Sequence, residues 1–144
     1  MIAHAGLIAR RAGGGWRGVL IEGPPGAGKS DLALRCLEAG FRLVADDRVV
    51  LWTSGERLFG RAPPSLRDLL EVNGVQVLGV PALPLAEVAL LVRCGAAERT
   101  PAPAFEDMLG VRVPLIRLDP LQPSAPAKLS RALDLFDATH NRRI

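Results

Sequence analysis

Eight consecutive residues have the types and the spacing of a phosphate-binding loop. They run from Gly23 to Ser30, read GPPGAGKS and satisfy the pattern G-x-x-x-x-G-K-[ST] in full. Such a loop points consecutive backbone N–H groups at phosphate oxygens, Lys29 adds a charge near the β- and γ-phosphates, and the Ser30 hydroxyl suits Mg²⁺. We therefore predict an ATP- and Mg²⁺-binding P-loop made of Gly23, Pro24, Pro25, Gly26, Ala27, Gly28, Lys29 and Ser30.

Two adjacent carboxylates follow unusually soon. Asp46 and Asp47 end the segment RLVADD, and Asp46 comes only seventeen positions after Lys29. One helix, predicted over Ser30–Ala39, and one strand, predicted over Phe41–Ala45, fill that interval. The strand should deliver both carboxylates beside the P-loop, where ligands collect in α/β sheets. One would be a Mg²⁺ ligand and the other a general base, and the spacing leaves open which is which.

The remaining pattern predicts an α/β fold with more strand than helix. A strand over Ile2–Ala9 contains His4, and a strand over Arg17–Ile21 leads into the P-loop. Ser65 is predicted to cap a short helix, with Asp68 at its third position. Residues 95–104 are predicted to form a loop. The other predicted elements are strands over residues 49–53, 57–60, 75–80, 87–94 and 111–118 and a helix over 127–140, with residues 54–56 as a hairpin turn.

Composition excludes several classes of protein. The 144 residues are 49% hydrophobic and 23% charged, which predicts one globular domain over residues 1–144. Aromatic residues are only 4% and the net charge is +3, so no nucleic-acid partner is expected. Cys36 and Cys94 lack metal spacing and are expected to be small buried hydrophobic residues. No signal peptide and no membrane span is predicted, so we expect a cytoplasmic protein.

The order of these segments resembles the catalytic domain of HPr kinase/phosphorylase. The resemblance covers IAHAGLIA, GVLIEGPPGAGKSDLAL, GFRLVADDRV and APPSLRDLLEVNGVQVLGV, from about His4 to Val80, with a weaker similarity at LGVRVPLIRL. The sequence looks like the short alphaproteobacterial form of the family, which lacks a separate N-terminal domain. The implied fold is a P-loop domain with a mixed sheet and flanking helices, related to phosphoenolpyruvate carboxykinase at the nucleotide site.

The resemblance also implies an activity and roles for individual residues. The activity would be ATP-dependent phosphorylation of a serine on HPr, a phosphocarrier of the phosphotransferase system, by a homo-oligomer, a hexamer in related enzymes. His4 would be the histidine of the catalytic site, and Asp46 would take the proton of the serine. Asp47 and Glu71 would match the acidic residues of the metal site. Taken without the resemblance, His4 and Glu71 are more typical of structural or exposed residues.

Two departures from the family pattern concern cations. The family segment E-[IV]-R-G reads Glu71-Val72-Asn73-Gly74 here, so one arginine is absent. The resemblance implies a second arginine in the flexible loop after the last matched strand, where this chain reads PLQPSAPAK and has Lys128 as its only cation. Asn cannot replace the charge or the planar phosphate contact of Arg. The resemblance links both segments to the phosphorylase direction and to capture of HPr, so we predict a kinase and leave the reverse reaction open.

Two other functions remain as alternatives. The first is a small-molecule P-loop kinase of the shikimate or gluconate type, which would carry an arginine-rich lid; none is present between residues 60 and 125. The second is a nucleotide-binding regulatory module without catalysis, which the missing arginines favour. Transfer of labelled phosphate from ATP to HPr distinguishes the three.

Overall fold

The protein, described here by a computed structural model, has more strand than helix, as predicted. The structure describes residues 1–141, including the side chains of residues 1–136, and the helices there are α1 (Lys29–Glu38) and α2 (Ala125–Asn141). No helix in these residues is long and apolar enough to span a membrane. The strands, β1 to β11, are Ile2–Ala3, Ala5–Ala12, Gly15–Glu22, Arg42–Ala45, Val49–Ser54, Arg57–Arg61, Leu69–Val72, Gln76–Gly79, Ala86–Cys94, Ala104–Met108 and Val111–Leu118.

Most of the strands form one mixed sheet, which confirms the predicted architecture. Its order is β1-β5-β6-β9-β3-β2-β4, with β11 paired to the second half of β9 and β10 paired to β11. Strands β3, β9 and β11 are parallel, whereas β2 runs antiparallel between β3 and β4. The C-terminal ends of β3, β4, β9 and β11 and the N-terminal end of β2 therefore share one edge, called the C-terminal edge below.

Apolar side chains pack on both faces of this sheet. On one face, Leu32 of α1 and Leu129 of α2 are fully buried against Ile8 of β2 and its neighbours. On the other face, Leu7 of β2 packs in a second cluster with Leu51 of the β5–β6 hairpin. Because adjacent strand residues point to opposite faces, β2 contributes to both clusters. The P-loop strand β3 is thus held from both sides.

Three predicted elements differ from the structure. The first strand is broken by a bend at His4, because β1 pairs with β5 whereas β2 pairs with β3 and β4. The helix predicted to begin at Ser65 is wrong: the chain forms a single 3-10 turn, Pro64–Leu66, without a side-chain cap. Asp68 then adopts a positive φ of 61°, and β7 follows. The loop predicted over residues 95–104 ends one residue early, where β10 begins.

Candidate functional site

The P-loop joins the end of β3 to the beginning of α1. Gly26 and Gly28 have φ values of 79° and 102°, a left-handed conformation that glycine adopts without steric cost. Gly28 occupies the N-cap position of α1, and no side chain in the described residues caps the first N–H groups of this helix. Uncapped N–H groups at a helix N-terminus, next to a loop of this geometry, form an anion site.

Gly23 is required for a different reason, its packing against β9. A Cβ atom at this position would lie 2.9 Å from Cβ of Cys94 and 3.4 Å from its Sγ. Cys94 ends β9, next to β3 in the sheet, so its side chain sets how closely the P-loop approaches that strand. Burial raises the pKa of the Cys94 thiol, although the nearby Lys29 ammonium opposes the shift. The thiol is therefore a packing group in its neutral form at pH 7.

The Lys29 side chain folds back across its own loop. Its Nζ atom donates hydrogen bonds to the carbonyl oxygens of Gly23, over 2.6 Å, and Pro24, over 3.1 Å. An ammonium group has three donors, so one remains for a phosphate oxygen. The arrangement holds a full positive charge at the loop, where the prediction requires it.

Ser30 and Asp46 meet across the C-terminal edge of the sheet. The Ser30 hydroxyl donates a 2.8 Å hydrogen bond to Oδ1 of Asp46, and the backbone N–H of Glu71 donates one of 3.0 Å to Oδ2. Asp46 is only 7% exposed, and among the residues that the structure describes it is the one charged residue that is buried. Its carboxylate therefore links α1, β4 and β7 at one point.

This donor set fits Mg²⁺ in the company of a phosphate. Mg²⁺ prefers hard oxygen ligands and is usually held by one or two carboxylates together with phosphate oxygens and water. The Ser30 hydroxyl and the Asp46 carboxylate supply such oxygens beside the P-loop. In the part of the chain that the structure describes, no three His, Cys, Asp or Glu side chains come together to hold a metal ion.

Asp47 diverges from Asp46 because the chain turns sharply between them. Asp47 has a positive φ of 68°, and the N–H of Arg48 donates to the carbonyl of Asp46 over 2.8 Å. The Asp47 carboxylate is exposed and lies 3.7 Å from Nε of Arg48. Its backbone carbonyl accepts a hydrogen bond from the N–H of Ala5. The carboxylate in contact with Ser30 is thus that of Asp46, whereas the Asp47 carboxylate faces solvent.

His4 and Glu71 lie near this point but contribute differently. His4 is exposed at the bend before β2, on the C-terminal edge, because Ala5 pairs with Glu22 immediately before the P-loop. Glu71 is exposed on β7 and reaches the site through its backbone N–H. Asn73, in the turn after β7, is exposed as well. The fold therefore brings Lys29, Ser30 and Asp46 together and places the other predicted residues around them.

Sequence reasoning missed one segment at this site, the residues directly after β11. A Cβ atom on Gly28 would lie 3.2 Å from Cδ2 of Leu121 and 3.8 Å from Cγ of Pro120. Arg35 of α1 donates hydrogen bonds to the carbonyl oxygens of Pro120 and Gln122. The Asp-Pro pair that follows a strand predicts only a connector, so no local signal indicates that the P-loop packs against it.

A cleft of about 860 Å³ lies at the opposite edge of the sheet. Its lining includes Arg17 at the beginning of β3, Glu87 at the beginning of β9 and Arg112 at the beginning of β11. The P-loop is at the other end of the same strands. The residues predicted to bind the nucleotide therefore lie away from this cleft.

Comparison with protein families identifies one model that matches this chain, the HPr Serine kinase C-terminal domain, over residues 15–84. The matched range contains the P-loop, Asp46, Asp47 and Glu71. Outside it lie His4, α2 and the segment after β11.

Sequence relatives and a solved structure agree with the family match. HPr kinase/phosphorylase from Neisseria meningitidis serogroup C is 52% identical, and that from Pediococcus pentosaceus 50% identical, over 64 residues. Each alignment covers 44% of this chain and 20% of the relative, so the chain spans about a fifth of the length of these relatives. The Hpr(Ser) kinase/phosphatase from Coxiella burnetii superposes with a TM-score of 0.77 at 24% identity, over 99% of this chain and 97% of that one. The last likeness shows a shared fold.

Proposed function

We propose that the chain is an ATP-dependent serine kinase acting on an HPr-type phosphocarrier, because its residues 15–84 match the family model of the HPr Serine kinase C-terminal domain. The observation that carries the proposal is the 2.8 Å hydrogen bond between Ser30 and Asp46. It joins the P-loop to the acidic segment and so brings a phosphate-binding group and a proton acceptor to one point.

The P-loop and Lys29 bind the triphosphate in this proposal. The uncapped N–H groups at the beginning of α1 and the Lys29 ammonium neutralise its negative charge. Ser30 would hold Mg²⁺, which when bound offsets the charge that develops on the transferred phosphoryl group, while the Asp46 carboxylate beside Ser30 remains available to accept a proton. In this proposal Asp47 and Glu71, whose side chains are exposed, would contact that ion through water.

Asp46 accepts the proton of the incoming serine. A carboxylate has about four acceptor positions, and the hydrogen bonds from Ser30 and Glu71 use two of them. The serine oxygen bonds to the γ-phosphorus, the bond from that phosphorus to the bridging oxygen breaks, and ADP leaves. Because the transition state is loose, positioning and charge neutralisation supply most of the rate and the base supplies less. His4, exposed at the bend before β2 on the same edge of the sheet, would orient Asp46 or help to exclude water.

A transfer assay tests the proposal. The purified chain is incubated with γ-labelled ATP, Mg²⁺ and an HPr-type protein, and label is counted on the protein. We expect label on a serine of HPr, its loss in Lys29→Ala, and full transfer in Arg112→Ala, which removes a cation at the opposite edge. Label on an added small metabolite instead of HPr would support a small-molecule kinase, and ATP binding without any transfer would support a regulatory module.

The same protein tests the reverse direction. Phosphorylated HPr is incubated with inorganic phosphate, and pyrophosphate release is measured. Asn73 stands in the exposed turn after β7, where the family pattern has an arginine. We expect the kinase direction to dominate in the wild-type chain. A gain of pyrophosphate release in Asn73→Arg would attribute that bias to the missing cation.

A further inference from the structure

The P-loop is flanked by different groups on its two sides. In the sheet, β4 lies two strands from β3 on one side, and β11 lies two strands away on the other. Asp46, which follows β4, contacts Ser30. The segment after β11 contacts Gly28. In the proposed function the reacting end of the nucleotide faces Asp46, so its nucleoside end points away from Asp46, and the segment after β11 lies on that side of the P-loop.

That segment, Asp119–Gln122, is held firmly and is called the strap. The N–H of Leu121 donates to Oδ1 of Asp119 over 2.9 Å. Arg35 donates from Nη2 to the carbonyl of Pro120 and from Nη1 to that of Gln122, the latter over 3.2 Å. Arg35 is itself oriented by an ion pair with Asp31 at the beginning of α1. The strap is thus tied to the same helix that begins at the P-loop.

The Leu121 side chain is exposed although its backbone is fixed. It is 70% exposed, and its Cδ2 atom lies against Gly28 at the N-cap of α1. Single exposed leucines are common on protein surfaces and by themselves require no explanation. This one differs because it projects from a tied segment and borders a phosphate-binding loop. A nucleoside attached to a phosphate in that loop would cover it.

We propose that Leu121, supported by Pro120, forms the apolar wall against which the nucleoside of the bound nucleotide packs. The proposal rests on nucleotide binding by the P-loop as set out under the proposed function. A leucine side chain has no hydrogen-bonding groups, so the wall favours nucleotides over bare polyphosphates without distinguishing one base from another. The chemical class recognised is therefore a nucleoside triphosphate, whatever its base.

The test compares three ligands on one variant. Binding of ATP, GTP and inorganic tripolyphosphate to the wild-type chain and to Leu121→Ala is measured by calorimetry in the presence of Mg²⁺. Loss of the apolar contact should lower the affinity for ATP and for GTP to a similar extent, by about three- to tenfold, and leave the affinity for tripolyphosphate unchanged. Leu85→Ala, which removes another exposed leucine outside the site, is the matched control and should change none of the three.

The outcomes separate this inference from the function on which it rests. If the wild-type chain binds neither ATP nor tripolyphosphate, the proposed function fails and the wall fails with it. If the wild type binds ATP and tripolyphosphate, and Leu121→Ala lowers neither affinity or lowers both equally, only the proposed role of Leu121 is overturned. Because Leu121 is exposed, Leu121→Ala should fold normally, and an unchanged thermal unfolding midpoint verifies this. Leu121→Gln, which keeps the length of the side chain but makes it polar, is a second variant and should lower the affinity for ATP and GTP as Leu121→Ala does.

Discussion

Oγ of Ser30 and Oδ1 of Asp46 are 2.8 Å apart, although the two residues belong to different elements and are sixteen positions apart in the chain. In the sheet, β2 lies between β3 and β4 and is antiparallel to both, so β3 and β4 are parallel and the P-loop and the end of β4 share the C-terminal edge. A strand that precedes the P-loop in sequence thus sets the spacing between the phosphate-binding loop and the carboxylate.

Asp46→Asn should reduce phosphate transfer far more than Asp47→Asn. The first variant removes the buried charge that contacts Ser30, and the loss of a general base costs about 10²- to 10⁴-fold. Asp47 is exposed at a positive φ that asparagine tolerates, so Asp47→Asn keeps the turn and should retain most of the rate. The measurement is the initial rate of label transfer to HPr in each variant. A larger loss in Asp47→Asn would assign the base to Asp47.

Gly23→Ala should weaken ATP binding through a steric effect that a second substitution relieves. The added Cβ would lie 2.9 Å from Cβ of Cys94, and overpacking of this kind costs about 1–3 kcal/mol. We expect ATP affinity to fall about tenfold and to recover in part in Gly23→Ala/Cys94→Gly. The measurement is the dissociation constant for ATP by calorimetry.

Gly15→Ala is the matched control for this substitution, because Gly15 begins the same strand, β3, and a Cβ there would meet nothing within 4 Å. It should bind ATP as the wild type does. Equal loss of affinity in Gly15→Ala, or no recovery in the double variant, would contradict a role for the contact with Cys94.

Elements marked by local signals could be predicted from the sequence. The helix predicted over Ser30–Ala39 is confirmed within one residue as α1, because a P-loop, an amphipathic face and Gly40 delimit it. The strand predicted to stop before Asp46 is confirmed as β4, and the hairpin predicted around residues 54–56 is confirmed as β5–β6. In each case the residues that end the element are polar or glycine and lie next to it.

Elements that depend on distant partners could not be predicted. Ser65 and Asp68 imitate a helix N-terminus, but burial of Leu70 in the core under the helices and pairing of β7 with β8 override that local preference. The donation from the Glu71 N–H to Asp46 depends on this hairpin and has no sequence signature. Similarly, an apolar run over Ile2–Ala9 gives no sign that the chain changes partners at His4.

Leu70→Ala should destabilise the protein substantially. Leu70 is fully buried on β7, next to the residue whose N–H binds Asp46. Truncating a buried leucine costs about 2–5 kcal/mol of unfolding free energy, and we expect a value in this range from urea denaturation. Val77→Ala, at a position 57% exposed on β8, is the control and should change stability by less than about 0.5 kcal/mol. Equal effects would show that β7 does not depend on this anchor.

The Cys36 thiol should make stability depend on pH in the alkaline range. Burial raises its pKa from 9.0 to about 12, so between these values the unfolded chain loses a proton that the native chain retains. Stability is therefore fully present below pH 9.0 and falls as the pH rises, by at most about 1.4 kcal/mol per pH unit from this group. Urea unfolding of wild type and Cys36→Ala at about pH 8 and about pH 10.5 measures the difference, in which the other titrating groups cancel. Cys36→Ala is less stable than the wild type at neutral pH because of its cavity, but its free energy of unfolding should fall less between the two pH values. An identical fall in both proteins would show that the buried thiol does not titrate in this way.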